Sequence, residues 1–515
     1  MIFSRNEVSI SRRAVIGGLA ALPLTGLAAR PVHAETPKKG GTLRVAILGG
    51  GSADTMDAHG SVSVPDTARV YSMYEGLVQL DPDGKVVNGL AESLEANSNA
   101  TEWTIRLRPN IMFHNGKTVT SNDVAFSLRR VANPAAPFAG ASGIKPLDLS
   151  SIKILDDRTL RIPATSPFAA LPDLISASHM YSIVPEGYDP ANPIGTGAFK
   201  YKAFTPGAES VFDRFDEYWR DDQPHLDSVV IVGSFADATA AYNALQSGEV
   251  EVFAAAPLAL ANQVAEGGPQ KRLISKPGQW TPFVMRVDLP PFDNPDVRMA
   301  FRLLVDRQQI IDLAFSGYAA VGSDVFSPAD ACYDTAWKRE RDVEKARELL
   351  KKAGHENLEV ELTTSDIAAG VVQSAQVFAQ QAKEAGVTVT VKQVTPDVFF
   401  GENYTKWPFA QDIWYYAPFM GQVVQSSLEG APYNETHWND AEYTRLYNEA
   451  QATPDLAKRC ELLRAMQRID FDRGGYIIPS FNQGVDLMAS NVEGFAPSAT
   501  GIPLGNFGFR TAWLA

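Results

Sequence analysis

The sequence predicts an α/β fold with parallel crossovers, and two regularities carry the prediction. Residues 358–362 alternate as a strand, residues 371–385 space apolar side chains as a helix up to Gly386, and residues 387–391 alternate again. Residues 296–315 and 343–353 are amphipathic helices, closed by Gly317 and Gly354. Strand, helix, strand requires a parallel crossover, because a tight hairpin joins only antiparallel neighbours. Open sheets of this kind bind ligands at the carboxyl ends of their strands, which places a site on an edge facing another lobe.

From the N-terminus, Arg5, Arg12 and Arg13 precede a weakly apolar stretch over residues 14–29 that Pro23 interrupts. A charged start before a short apolar run is an export signal, and the run falls short of the roughly 20 residues a spanning helix needs. Val32-His33-Ala34 offers a cleavage site after Ala34, with Ala29 as the alternative, and no cysteine follows to carry a lipid. Ser11-Arg12-Arg13-Ala14-Val15-Ile16 resembles a twin-arginine signal, departing from it at Val15 and Gly17; the general secretory route is the alternative. The expected location is the periplasm.

Residues 41–48 read as a strand running into Gly49-Gly50-Gly51-Ser52, where missing Cβ atoms let backbone approach a ligand; a flexible turn is the other reading. Trp103, Ile105 and Leu107 alternate with polar neighbours, Asn115-Gly116 turns the chain, and Ser121-Asn122-Asp123 caps a helix to Arg130. These make a small α+β module. Residues 236–246 form a helix closed by Gly248, followed by a short strand over 249–253. Asn294 and Pro295 start the helix over 296–315, whose stripe is Val297, Phe301, Leu304 and Ile311, and the second lobe begins near it.

The 515 residues carry a formal charge of −14, which becomes −17 without residues 1–34. No run of Lys or Arg follows a phosphate backbone, so nucleic acid is excluded as a partner. Cys332 and Cys460 are too few for a disulfide scaffold, and the helical spacing of Cys460 with Leu456, Leu463 and Met466 predicts a buried thiol rather than a bridge. The seven histidines lack a chelating spacing, so no metal site is expected. No nucleophile triad or carboxylate pair marks an enzyme, although an exported hydrolase and a chaperone-like binding module remain as other classes.

Several motifs occur in the order of one family. They are Gly40-Gly41-Thr42-Leu43-Arg44-Val45-Ala46, Tyr74-Glu75-Gly76-Leu77-Val78, Leu90-Ala91-Glu92-Ser93-Leu94-Glu95, and Trp103-Thr104-Ile105-Arg106-Leu107-Arg108 through Phe113-His114-Asn115-Gly116. Asp123-Val124-Ala125-Phe126-Ser127, Gly195-Thr196-Gly197-Ala198-Phe199, Tyr218-Trp219, Pro291-Phe292-Asp293 and Val297-Arg298-Met299-Ala300-Phe301 continue the series. Over residues 38–500 the chain resembles the family 5 extracytoplasmic solute-binding proteins, the dipeptide- and oligopeptide-binding type of ABC importers.

The resemblance implies a two-lobed periplasmic binding protein fold of type II, cluster C, with an inserted α+β subdomain and a hinge of two crossings. Lobe I is expected from residues 35–73, 195–284 and 479–515, the inserted subdomain from 74–194, and lobe II from 285–478, with crossings at 284–287 and 479–482. It further implies a monomer without cofactor that closes on a small-molecule ligand and meets the permease and ATPase subunits of an ABC importer.

Residues 399–447 hold 13 aromatics in 49 positions, about 27% against 10% for the chain. Aromatic faces suit a pocket for a small organic ligand, with plain core packing as the alternative for each ring. Trp414, Tyr415 and Tyr416 are candidate contacts. Peptide-binding relatives carry an amine-pairing aspartate where Ala417 stands, so a bare ammonium lacks its partner unless Asp54, Asp57 or another acid substitutes. Arg286 stands where relatives have Asn and can grip a carboxylate or phosphate, or else form a salt bridge. His437 either bonds within its loop or touches ligand. Trp280, Phe481, Asn482, Gly51 and Ser52 complete the candidate contacts. The expected ligands are, in order, a modified amino acid or opine-like conjugate, a small peptide, and an oligosaccharide.

Overall fold

The computed structural model describes residues 36–515 apart from 62 and 178. The export segment, its cleavage point near Ala34 and the twin-arginine motif lie outside the described residues.

The strand Thr42–Ala46 alternates inward with Leu43 and Val45 fully buried, and pairs in parallel with Ser228–Val232 on one side and Val252–Phe253 on the other. Glu209–Arg214 and Phe199–Thr205 extend one flank, Val485–Ala489 and Gln270–Ile274 the other, giving seven strands. One sheet thus draws on the beginning, middle and end of the chain, which makes its lobe discontinuous. The helix Ala238–Ser247 feeds this sheet, capped by the Asp237 carboxylate and ended by Gly248 at φ +76°, a left-handed position that glycine takes without a Cβ clash.

The second lobe is a five-stranded sheet in the order Thr388–Val394, Glu359–Ser365, Phe409–Gln411, Phe283–Met285, Tyr476–Ile477. Glu359–Ser365 and Thr388–Val394 run parallel in full register, joined by the helix Val371–Lys383. The single helix expected over 296–315 is two, Pro295–Leu304 and Arg307–Ala314. Between them Val305 is extended and Asp306 caps the second helix by accepting from Gln309 N–H. The apolar stripe continues across the break, and for that reason periodicity alone conceals it.

Between the two sheets lies a three-stranded ribbon of Gln279–Trp280, Ser480–Asn482 and Ala319–Val321. The chain passes from one lobe to the other between Trp280 and Phe283, and returns between Ile477 and Ser480. Because Phe283–Met285 pairs with Phe409–Gln411 and Tyr476–Ile477, a division at residues 284/285 cuts a strand of the second sheet.

Residues 74–194 contain a four-stranded antiparallel sheet, with Trp103, Ile105 and Leu107 buried along Glu102–Leu107. The helix beside it, Ser121–Val131, is capped one residue earlier than expected: Asp123 accepts both the N–H and the hydroxyl of Thr120 at 2.8 Å.

The predicted free thiol is a bridge. Cys332 and Cys460 form a disulfide with Cα atoms 4.8 Å apart. Cys460 does sit on the buried face of a helix, Leu456–Arg473, together with Leu463 and Met466 as its spacing predicts, whereas Leu456 is 51% exposed. The partner comes from a loop clamped onto that face, where Gln467 donates to Cys332 O at 3.3 Å and accepts from Asp334 N–H at 3.2 Å. Among the described residues no helix is long and apolar enough to cross a membrane.

Candidate ligand-binding cleft

A cavity of about 610 Å³ opens between the two lobes. One wall is the segment 413–433 of the second lobe; the opposite wall comes from Ser63–Thr67, residues 139–143 and 174–181, and the C-terminal stretch 502–507. Among the described residues no Asp, Glu, Lys or Arg lines it. The polar groups it offers are Ser, Thr and Gln side chains, tyrosine hydroxyls, backbone and His179. Burial pushes the His179 imidazole down to about 4, so it is neutral near pH 7.

Trp414, Tyr415, Tyr416 and Ala417 all line this cavity. Trp414 is held by an antiparallel bridge to the ribbon, Trp280 N–H to Trp414 O at 2.9 Å and Trp414 N–H to Trp280 O at 2.8 Å. Their indoles stack at 5.8 Å and 14°, and Phe326 and Phe419 extend the column behind them. Tyr415 is 44% exposed and is the wall's most accessible ring. Tyr416 is 4% exposed; its hydroxyl donates to Gly84 O at 3.1 Å and its N–H to Thr500 O, so it ties the wall to the opposite lobe. Ala417 O accepts from the Ser327 hydroxyl at 2.7 Å.

The other candidates lie elsewhere. Trp280 is 1% exposed and backs the wall without lining it. Asn482 is buried, bonded to Ser480 and Thr281. Phe481 lines a separate cavity of about 790 Å³ beside Tyr333 and Arg339. Gly51 and Ser52 are exposed; Gly51 bonds Asp54, and its backbone packs where a Cβ on Gly207 would sit 3.1 Å away, so the glycines serve loop-on-loop contact. Arg286 presents both ends of its fork to Asp288 at 2.7 Å and donates to Lys406 O, leaving no free edge for a ligand anion. That hydrogen bond holds the Asp288 carboxyl below its ordinary range. His437 bonds Thr405 O at 2.9 Å. Asp54 and Asp57, the acids weighed as amine partners, are engaged by Arg69 and Arg130 at 2.7 and 2.6 Å.

Sequence reasoning missed a buried carboxyl pair behind the wall. Glu435 accepts from Trp414 Nε1 at 2.8 Å and from the Tyr476 hydroxyl at 3.0 Å, while Asp412 accepts from the Tyr404 hydroxyl at 3.0 Å. The two acids hydrogen-bond each other, and burial together with the Asp412 charge pushes Glu435 well above the carboxylate range, so the pair shares a proton. It also missed the C-terminal edge of the cleft. Leu504, Gly505, Asn506 and Phe507 have φ of 53°, 59°, 67° and 47°, a left-handed turn that costs non-glycine residues about 1–2 kcal/mol each. Asp486 holds its start by accepting from Leu504 N–H at 2.7 Å. The left-handed tolerance of Gly505 and Asn506 was the signal available.

Two α/β lobes joined by two crossings, with an aromatic-walled cavity between them, define a periplasmic-binding-protein type of receptor. The chain belongs to the bacterial extracellular solute-binding proteins, family 5: residues 85–436 match the middle region of that family. The chain is 30% identical over 351 residues to the glutathione-binding protein GsiB of Pectobacterium atrosepticum, a match covering 66% of each chain. It is 25% identical over 475 residues to GsiB of Escherichia coli K12, covering 88% of this chain and 91% of that one. Among solved structures, AgaA of A. tumefaciens R10 in complex with agropinic acid has a TM-score of 0.76 at 24% identity, covering 92% and 99% of the two chains. CtaP of Listeria monocytogenes, a substrate-binding protein, has a TM-score of 0.80 at 21% identity, covering 93% and 100%. These last two show the fold.

Proposed function

We propose that this chain is the exported, monomeric substrate-binding subunit of an ABC importer. It captures a small organic solute between its lobes and delivers it to a membrane permease and its ATPase. The carrying observation is the cavity itself: about 610 Å³, aromatic on one wall and, among the described residues, without a charged side chain. Such a lining favours a solute with an apolar or delocalised body and disfavours a bare ammonium, whose desolvation nothing repays. A modified amino acid or opine-like conjugate therefore ranks ahead of an unmodified peptide. The agropinic acid named for AgaA is an opine, in line with that order.

Capture works through differential affinity. The solute docks on one wall, the crossings at 280–283 and 477–480 bend, and the other wall completes the contacts, so ligand favours the closed form.

A serine–histidine contact does exist, Ser61 Oγ against His179 Nε2, but Ser61 is 3% exposed and the neutral, low-pKa His179 is a weak base. No hydrolysis of ester or amide substrates is expected.

The test is a thermal-shift screen of the refolded mature chain against amino-acid conjugates, opines, dipeptides and oligosaccharides. A solute at 100 times its dissociation constant adds about 2.7 kcal/mol. A shift with one class that Trp414→Ala abolishes supports the reading. Shifts with none, or ester turnover that Ser61→Ala removes, overturn it.

A further inference from the structure

Beside the cleft lies a second, smaller chamber of about 150 Å³, and His179 and Phe507 line both. Tyr71 packs against both of these residues, with ring centroids 6.0 Å from His179 and 6.3 Å from Phe507, and itself lines the chamber. Arg510 and Asn506 also line the chamber.

Arg510 differs from the arginines around the cleft. Arg69, Arg130 and Arg286 each hold a carboxylate at 2.5–2.7 Å, whereas among the described residues no carboxylate or carbonyl pairs with the half-buried Arg510. The Tyr71 hydroxyl likewise has no hydrogen-bond partner among the described residues. Burial pushes its phenol up to about 12, against the opposing pull of the Arg510 charge. Asn506 is oriented: Thr500 donates to its Oδ1, which leaves its Nδ2 as a donor without an acceptor among the described residues. The left-handed turn 504–507 sets Asn506 there, and strained backbone of this kind gathers at ligand clamps.

We propose that this chamber is a carboxylate subsite of the solute cleft, in which Arg510 pairs with an acid group of the ligand while Tyr71 and Asn506 donate to it. The inference rests on the receptor reading and deepens it, by naming an organic acid as the solute class. The main cavity holds the uncharged body, and its lack of cations leaves the acid group to be met next door. A planar carboxylate matches the guanidinium fork. A dianionic phosphate suits the chamber less, because Glu75 and Asp81 also line it. Glu75 is engaged by the Tyr218 hydroxyl and Trp219 Nε1, and Asp81 by the N–H groups of Asp83 and Lys85. Their charge penalises a second negative charge on the guest more than a first.

The experiment titrates the mature chain with sodium succinate, inorganic phosphate and sodium chloride at matched ionic strength, following melting temperature and tryptophan fluorescence. Arg510→Gln and Asn506→Ala are run beside the wild type, with circular dichroism checking their fold. The expected result is a saturable succinate effect absent with chloride, weaker with phosphate, and reduced at least tenfold in affinity by Arg510→Gln. Succinate behaving as chloride does, phosphate outdoing succinate, or Arg510→Gln binding like wild type would each overturn the subsite. Failure here is separable from failure of the receptor reading. If a screened solute binds through Trp414 and Arg510→Gln leaves its affinity within twofold, the receptor stands and the subsite falls. If succinate binds through Arg510 while no screened solute binds, the subsite stands and the receptor reading falls.

Discussion

Trp414 is fastened to Glu435: its indole nitrogen donates to a Glu435 oxygen at 2.8 Å, and that same oxygen takes the Tyr476 hydroxyl at 3.0 Å. The cleft wall is therefore held from behind by an acid that is itself buried.

Replacing Glu435 with Ala strands both donors in a dry interior. Each unmade buried hydrogen bond costs about 1–3 kcal/mol, so Glu435→Ala should lower stability by about 2–4 kcal/mol in urea unfolding and weaken solute binding as Trp414 loosens. A loss under about 0.5 kcal/mol would show that the wall stands without its backing.

The acidic core makes stability fall as pH rises. Burial, opposed by Arg459, pushes Asp173 up to about 7, and burial, opposed by the Tyr443 hydroxyl and Arg302, pushes Asp470 up to about 8. The folded chain keeps protons that the unfolded chain releases above about pH 4, so this stability is full below pH 4 and drains away toward pH 7–8. Asp57 acts in the other direction: burial is outweighed by the Arg130 hydrogen bond, its carboxyl is lowered, and its contribution is lost only in acid. Below pH 6.5 the fall in stability is opposed by His59, His114 and His179, which burial holds neutral down to about pH 4, so the decline in urea midpoints should show between pH 6.5 and 8, and Asp173→Asn should lessen it. A flat wild-type profile would contradict it.

Arg286→Gln should leave solute affinity within about twofold, since Asp288 and Lys406 O already occupy the guanidinium. Calorimetry with the solute found in the screen decides this. A tenfold loss, about 1.4 kcal/mol, would place Arg286 in the site after all.

Opening the Cys332–Cys460 bridge should destabilise the chain by about 2–5 kcal/mol, the range expected when a loop of this length loses its constraint. Denaturant unfolding with and without reductant measures it, and Cys460→Ala should match the reduced wild type. Thiol titration of the unfolded, unreduced chain should find none.

The elements that periodicity states in full were legible: Glu359–Ser365, Val371–Lys383 and Thr388–Val394 begin and end within a few residues of their patterns, because glycines and alternation are local. The break at Val305 was not, since one apolar stripe serves both helices. In the site, the aromatic density around Trp414 announced the cavity wall. Position along the crossings misled for Trp280, Phe481 and Asn482, which share the ribbon with Trp414 but face its interior or its other side. Arg286 stood open between a ligand anion and a salt bridge because its partner, Asp288, lies on the same segment, and sequence does not say which way either turns. The cysteine pairing, with its ends 128 positions apart, exists only once the helix Leu456–Arg473 meets the 330–334 loop. Arg510 and Tyr71, more than 400 residues apart, gave no sequence sign of meeting.

The same bridge turns residues 332–460 into a covalent ring that contains Glu359–Ser365, Thr388–Val394, Phe409–Gln411 and the whole aromatic wall, while their sheet neighbours Phe283–Met285 and Tyr476–Ile477 stay outside it. A protease that nicks a loop inside the ring leaves no free fragment. Both halves stay joined through sulfur and packed in one sheet, and the cut becomes visible as two bands only when reductant opens the ring. The wall is thus secured twice, by strand pairing and by a tether that survives the loss of any one peptide bond within it.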